Sequence, residues 1–317
     1  MQELKRISAF FMAMLMMLTV FSAFSVVSAE GEAAGGTQPV WPAPGSIKLD
    51  KDAAAVEGKE NLWEITLGIQ GKNFETTSDV VLVIDCSGSM EGAKLTNTRQ
   101  AAKAFGQKLL TEGSTTRIAI VTFIKEATAY NNGHFYGAGE LAAFETAVEK
   151  ATYAEGGTNQ QAGLHVAQQL LNTSAAGLKN IVILSDGEAT YSYRISGTVS
   201  CTEEVLVAKG YWFENDRYAT SNVDWATATI NCNYDSRDGD GSDGYFKKSS
   251  ELTILNTTKN YADKYITHGV ATIWEANQAK AAGTTIYSVA LQAGTNGENT
   301  LKACLLYTSP SPRDRSL

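Results

Sequence analysis

The segment Val80-Val81-Leu82-Val83-Ile84 is an unbroken apolar run, mostly β-branched. Such a run reads as a strand buried on both faces, the habit of a parallel sheet covered by helices rather than of a half-solvated antiparallel one. A second run, Ile181-Val182-Ile183-Leu184, repeats the pattern later in the chain. Asp85 follows the first run directly, and Asp186 follows the second after one serine. Open α/β sheets bind ligands at the carboxyl ends of their strands, so both carboxylates are expected at one functional edge.

The first strand leads into Asp85-Cys86-Ser87-Gly88-Ser89. One carboxylate and two hydroxyls leaving a rigid strand through a Gly-containing turn offer hard oxygen ligands of the kind a divalent cation takes. The pattern resembles the metal-ion-dependent adhesion site of the von Willebrand factor A (VWA) family. That family adds a Thr from a second loop and an Asp from a third, and Gly156-Gly157-Thr158-Asn159 and Ser185-Asp186-Gly187-Glu188 follow in that order. The plainer reading of the same residues is that Ser87 and Ser89 cap the next helix and Asp186 ends a strand in a turn.

The resemblance implies Mg²⁺, with Mn²⁺ or Ca²⁺ as substitutes, held by Asp85, Ser87, Ser89, Thr158 and Asp186, some of them through water. Neutral hydroxyls donate little charge, so the ion stays electrophilic, and a partner protein is expected to complete its shell with an Asp or Glu carboxylate. The implied function is a secreted or cell-surface adhesion module. Two other readings compete: a pilus or wall scaffold with a non-functional metal site, and the docking domain of a larger secreted enzyme.

Alternation of strand and helix predicts an α/β fold, a doubly wound and mostly parallel sheet flanked by helices. Helical spacing marks Lys94 to Glu112, Gly139 to Tyr153 and Asn159 to Leu171, and a further helix is expected from Thr258 to Ala281. Strands are expected at Thr116 to Ile124, at Ala127 to Tyr130 as an edge, and at Thr284 to Leu291. The VWA domain is assigned to residues 78–303, its last helix missing, with a long polar insertion over about 191–250. Residues 46–77 form a flanking β segment in which Trp63, Ile65, Leu67 and Ile69 alternate with polar or small neighbours, the pattern of a half-buried strand. The segment resembles those that precede the VWA domain in surface adhesins and pilus-tip proteins of Gram-positive bacteria.

At the N-terminus, Lys5 and Arg6, an apolar stretch from Ile7 to Val27 and Val27-Ser28-Ala29 read as a secretory signal over residues 1–29. Residues 30–45, rich in Gly, Ala and Pro, read as a flexible leader. Residues 304–317 resemble a translated sequencing adapter and are set outside the fold. Cell-wall or pilus attachment is then expected through a region beyond Ala303.

The chain carries 34 acidic and 26 basic residues for a net charge of −8, without a basic stripe, which argues against nucleic acid as a partner. Cys86 lies in the metal loop as a buried, inert thiol, while Cys201 and Cys232 are candidates for a disulfide in an exported protein. Glu188 is expected as a solvated loop charge, and Asp235 to Gly244 as an exposed turn in which the EF-hand pattern fails. Trp212, Phe213, Tyr218 and Trp225 offer either a recognition surface or a small core for the insertion. His134, His165 and His268 lie in no catalytic motif and are expected as surface or partly packed residues, so no enzyme activity is expected.

Overall fold

The computed structural model describes residues 47–55, 57–58, 63–71, 76–208, 217–255 and 264–304. The expected signal and leader, Trp212, Phe213 and residues 305–317 lie outside them. The chain divides into two units, residues 1–76 and 77–317.

In the first unit β1 (Ile47–Ala55) and β2 (Trp63–Gly71) pair antiparallel, with Ile47 opposite Gly71 and Ala55 opposite Trp63. The expected half-burial of β2 is not met at Leu67 and Ile69, which are 70% and 74% exposed.

The second unit opens with β3 (Ser78–Asp85), α1 (Ala93–Leu109), β4 (Thr116–Phe123), β5 (Ala127–Ala129), α2 (Leu141–Ala151), α3 (Gln160–Asn172) and β6 (Leu178–Ser185). Six strands follow: β7 (Ser192–Ala208), β8 (Arg217–Val223), β9 (Thr229–Asp238), β10 (Tyr245–Lys247), β11 (Leu252–Leu255) and β12 (Tyr265–Thr267). Then come α4 (His268–Ala281), β13 (Thr285–Ala290) and α5 (Thr295–Cys304).

The central sheet has the order β13-β6-β3-β4-β5, parallel except for the β5 edge. Its middle strand β3 is buried from Asp79 to Asp85, as an uninterrupted apolar run requires when helices cover both faces. Successive side chains alternate between the faces. Val81 and Val83 join Val121, Ile181 and Ile183 under Leu164 and Leu171 of α3 and Ile273 and Ala276 of α4. Val80, Leu82 and Ile84 are equally buried and point to the opposite face. Each such side chain contributes roughly 1.5–3 kcal/mol on leaving water.

The expected insertion is built of strands. Its six strands form a second sheet of order β10-β12-β8-β7-β11, with β9 on the other side of β7, and it runs through Thr267 instead of stopping near Ser250. This sheet has its own core of Ile195, Val199, Val223, Phe246, Leu252 and Ile266. Val270 and Ala271 of α4 belong to that core, while Ile273, Ala276 and Ala279 of the same helix belong to the central one. Trp225 is partly buried against both, which favours the core reading over a free recognition surface for that residue.

The bridge between Cys201 and Cys232 is not made, and both thiols are free. Cys232 lies opposite Ile195 in the β7–β9 ladder, whereas Cys201 is further along β7, opposite Val223 of β8. That offset along an extended strand is about 20 Å, well beyond disulfide reach. Cys304, assigned to the foreign tail, is the last residue of α5 and is buried in the central core.

Candidate metal centre

The carboxyl end of β3 delivers Asp85 into the interior, where it is fully buried. Its Oδ1 accepts a hydrogen bond from the Ser87 amide at 2.8 Å, and its Oδ2 accepts one from the Ser185 hydroxyl at 2.6 Å. Burial pushes the Asp85 carboxyl up to about 6, against these hydrogen bonds and with a smaller push from Asp186. Desolvation therefore outweighs hydrogen bonding at this carboxyl.

After Asp85 the backbone turns through a 3-10 turn at Gly88–Met90, anchored by the buried Met90. The second loop is fastened to this turn along its length. The Glu155 amide donates to the Cys86 carbonyl at 2.8 Å and the Gly88 amide to the Gly156 carbonyl at 2.9 Å. At Gly88 the two loops approach closely, and a Cβ would sit 3.3 Å from that carbonyl oxygen. The Cys86 side chain is buried as expected, and burial pushes its thiol up to about 12.

The third loop leaves the end of β6, next to β3 in the sheet. Ser89 Oγ donates to Asp186 Oδ1 at 2.8 Å and lies 3.1 Å from Ser87 Oγ. Lys94 Nζ, from the first turn of α1, donates to Asp186 Oδ2. Ser87, Ser89 and Asp186 thus form one hydrogen-bonded chain, and Asp85 joins it through the Ser87 amide.

Thr158 stands differently. Its amide donates to Thr190 Oγ1 at 3.0 Å, and its carbonyl accepts from the Thr190 and Tyr191 amides. No direct hydrogen bond joins it to the other four residues among those described. Its neighbour Asn159 caps α3 by accepting from the Ala162 amide at 3.0 Å, which fixes where the loop ends. Gly157 admits the base of the insertion, since a Cβ there would meet the Tyr191 ring at 2.5 Å.

Three polar residues at this edge carry no signal in the motif. Ser185 bridges the first and third loops, because its hydroxyl donates to Asp85 and accepts from Gln160 Nε2 at 3.0 Å. Gln160 also donates to the Gly187 carbonyl, while its own Oε1 is buried without a partner among the described residues. Lys94 is the third.

Glu188 is not a free surface charge. It is half-buried against Gly244, Asn296 Nδ2 donates to its Oε1 at 3.0 Å, and burial raises its pKa. The segment Gly239–Gly244 of the insertion packs on this same rim, against the Thr190 carbonyl, Tyr191 and Glu188.

The histidines divide by environment. His134 faces Glu140 at 2.9 Å near the surface. His165 stacks on Tyr234 and meets the buried Glu275 at 2.8 Å, tying α3, α4 and the insertion together. His268 is fully buried instead of partly packed, its Nδ1 2.8 Å from Ser192 Oγ and its Nε2 without a partner among the described residues. No group of three or more His, Cys, Asp or Glu side chains able to hold a metal occurs among the described residues.

The sequence model of the von Willebrand factor type A domain matches residues 79–211. The minor fimbrium subunit Mfa5 of Porphyromonas gingivalis is 33% identical over 173 residues, covering 51% of this chain and 13% of that protein. The crystal structure of three N-terminal domains of the type V pili tip protein Mfa5 from Porphyromonas gingivalis has a TM-score of 0.58 at 21% identity, covering 84% of this chain and 53% of that one. The crystal structure of its vWF domain has a TM-score of 0.53 at 21% identity, covering 73% and 87%. The chain thus has the fold of the von Willebrand factor type A domain, and residues 79–211, with the three loops in the same order, are similar to that family.

Proposed function

We propose that this chain contributes a cell-surface adhesion module of pilus-tip type, in which Asp85, Ser87, Ser89, Thr158 and Asp186 hold a divalent cation, Mg²⁺ in the first place. The reading is non-enzymatic. A carboxylate from an Asp or Glu of a partner protein would complete the shell, the chemistry that the bound cation supplies. The observation that carries the reading is the convergence of Ser87, Ser89 and Asp186 within direct hydrogen-bonding distance at the end of a parallel sheet, with Asp85 joined to them. The donor set is all oxygen and contains only two carboxylates, which suits a hard cation. The buried Asp85 carboxyl, raised by desolvation, is a group that a cation would restore to its ionised form. The similarity to a fimbrial subunit and a pilus tip protein supports a place outside the cell, reached by the signal over residues 1–29.

Titration of metal-free protein with Mg²⁺ in a calorimeter tests this directly. Saturable binding is expected in the wild type and is expected to be lost in Asp85→Ala and in the isosteric Asp85→Asn, with far-UV circular dichroism unchanged. Beads coated with the protein are expected to adhere to cells in Mg²⁺ and to be released by EDTA. Equal Mg²⁺ binding by wild type and both variants, or none in the wild type, would refute the metal site.

A further inference from the structure

The two buried carboxylates of the candidate centre are compensated unequally. Asp85 has hydrogen bonds but no ion pair among the described residues, whereas Asp186 has Ser89 on one oxygen and the Lys94 ammonium on the other. The Asp186 side chain is entirely enclosed, while that of Lys94 is 34% exposed. Only the lysine can therefore withdraw into water. Lys94 also occupies the first turn of α1, where the helix dipole disfavours a cation, so its helix gives the ammonium no reason to be there. Its flexible stem and strongly hydrated head make release easy.

The geometry points to Lys94 as a tethered counter-cation that neutralises Asp186 in the metal-free protein and gives way when a divalent cation binds. This rests on the metal-binding reading above and adds its regulation. A carboxylate oxygen engaged by the ammonium is withheld from an incoming ion, and a positive charge at hydrogen-bonding distance repels that ion as well. The site is thus kept weaker for Mg²⁺ than its oxygen ligands alone would make it. In exchange, Asp186 is not left as an unpaired buried charge when no divalent cation is bound.

The test compares wild type, Lys94→Met and Lys94→Arg by Mg²⁺ calorimetry and by thermal unfolding in EDTA. Loss of the charge in Lys94→Met is expected to tighten Mg²⁺ binding by roughly tenfold, the effect of removing about 1.4 kcal/mol of competition. The same variant is expected to unfold at a lower temperature in EDTA, while Lys94→Arg stays near wild type in both measurements. Should Lys94→Met not fold, lysine acetylation of the wild type decides. Lys94 is expected to react faster in Mg²⁺ than in EDTA, with the other lysines unchanged. Wild-type Mg²⁺ binding together with equal or weaker binding in Lys94→Met, or with Lys94 reactivity indifferent to Mg²⁺, overturns the tethered cation and leaves the metal site standing. Absence of Mg²⁺ binding in all three proteins overturns both.

Discussion

At the scale of single residues, burial governs the cysteines. Cys86, Cys201 and Cys304 are buried and Cys232 is half-buried, all four unbonded. Burial pushes the thiols of Cys86, Cys232 and Cys304 up to about 12, so little thiolate forms near neutrality and reaction with disulfide reagents is suppressed. Native protein is expected to react slowly with Ellman's reagent, and to release the equivalent of four thiols once unfolded without reductant. A count of two would mean that Cys201 and Cys232 are bridged. The same scale shows what could be read in advance. Asp85, Ser87, Ser89 and Asp186 were legible because they follow uninterrupted apolar runs, and a strand end is a fixed place in a parallel sheet. Ser185 was not, although it stands beside Asp186, because its hydroxyl reaches Asp85 on a neighbouring strand. Gln160 and Lys94 were hidden for the same reason: their partners lie far away in sequence.

Among the elements, α4 is the least legible. Its apolar residues serve two cores on two sides, so they form no single stripe from which a start can be read. Residues 258–263 of the helix expected from Thr258 to Ala281 lie outside the described residues; Tyr265–Thr267 form β12, which pairs with β8 and β10, and α4 runs from His268. At that junction the His268 ring packs on Phe246, Gly239 and Ser192, all from the insertion. Burial pulls its pKa from the ordinary 6.5 down to about 3, outweighing the opposing pull of Asp240. Well above pH 6.5 the ring is uncharged whether the chain is folded or unfolded. Below about 6.5 the unfolded chain takes up a proton that the folded one refuses until about 3, so stability falls as pH drops through that window. The slope from this one group reaches about 1.4 kcal/mol per pH unit. Thermal unfolding from neutral pH to about pH 4.5 is expected to fall more steeply for wild type than for His268→Gln. Parallel slopes would contradict the buried neutral ring.

For the molecule as a whole, the sheet order and the flanking helices follow from the two apolar runs and the alternation around them. The insertion does not, because its strands are paired out of sequence order, with β11 and β12 parallel to β7 and β8. It nevertheless packs on the rim of the candidate centre, where Gly239, Gly241 and Gly244 meet Thr190, Tyr191 and Glu188. The β1–β2 ribbon, with Leu67 and Ile69 exposed, is of a kind that is marginal in isolation. Because the chain covers only 13% of the fimbrial subunit it matches, the activity of a longer protein stays a proposal. A net charge of −8 suits the proposed chemistry, drawing divalent cations and repelling polyanions. The most direct measurement is an anomalous difference map from crystals soaked in Mn²⁺. A single strong peak bounded by Asp85, Ser87, Ser89, Thr158 and Asp186 is predicted; a map with no peak there, or with its peak elsewhere on the molecule, would contradict the account.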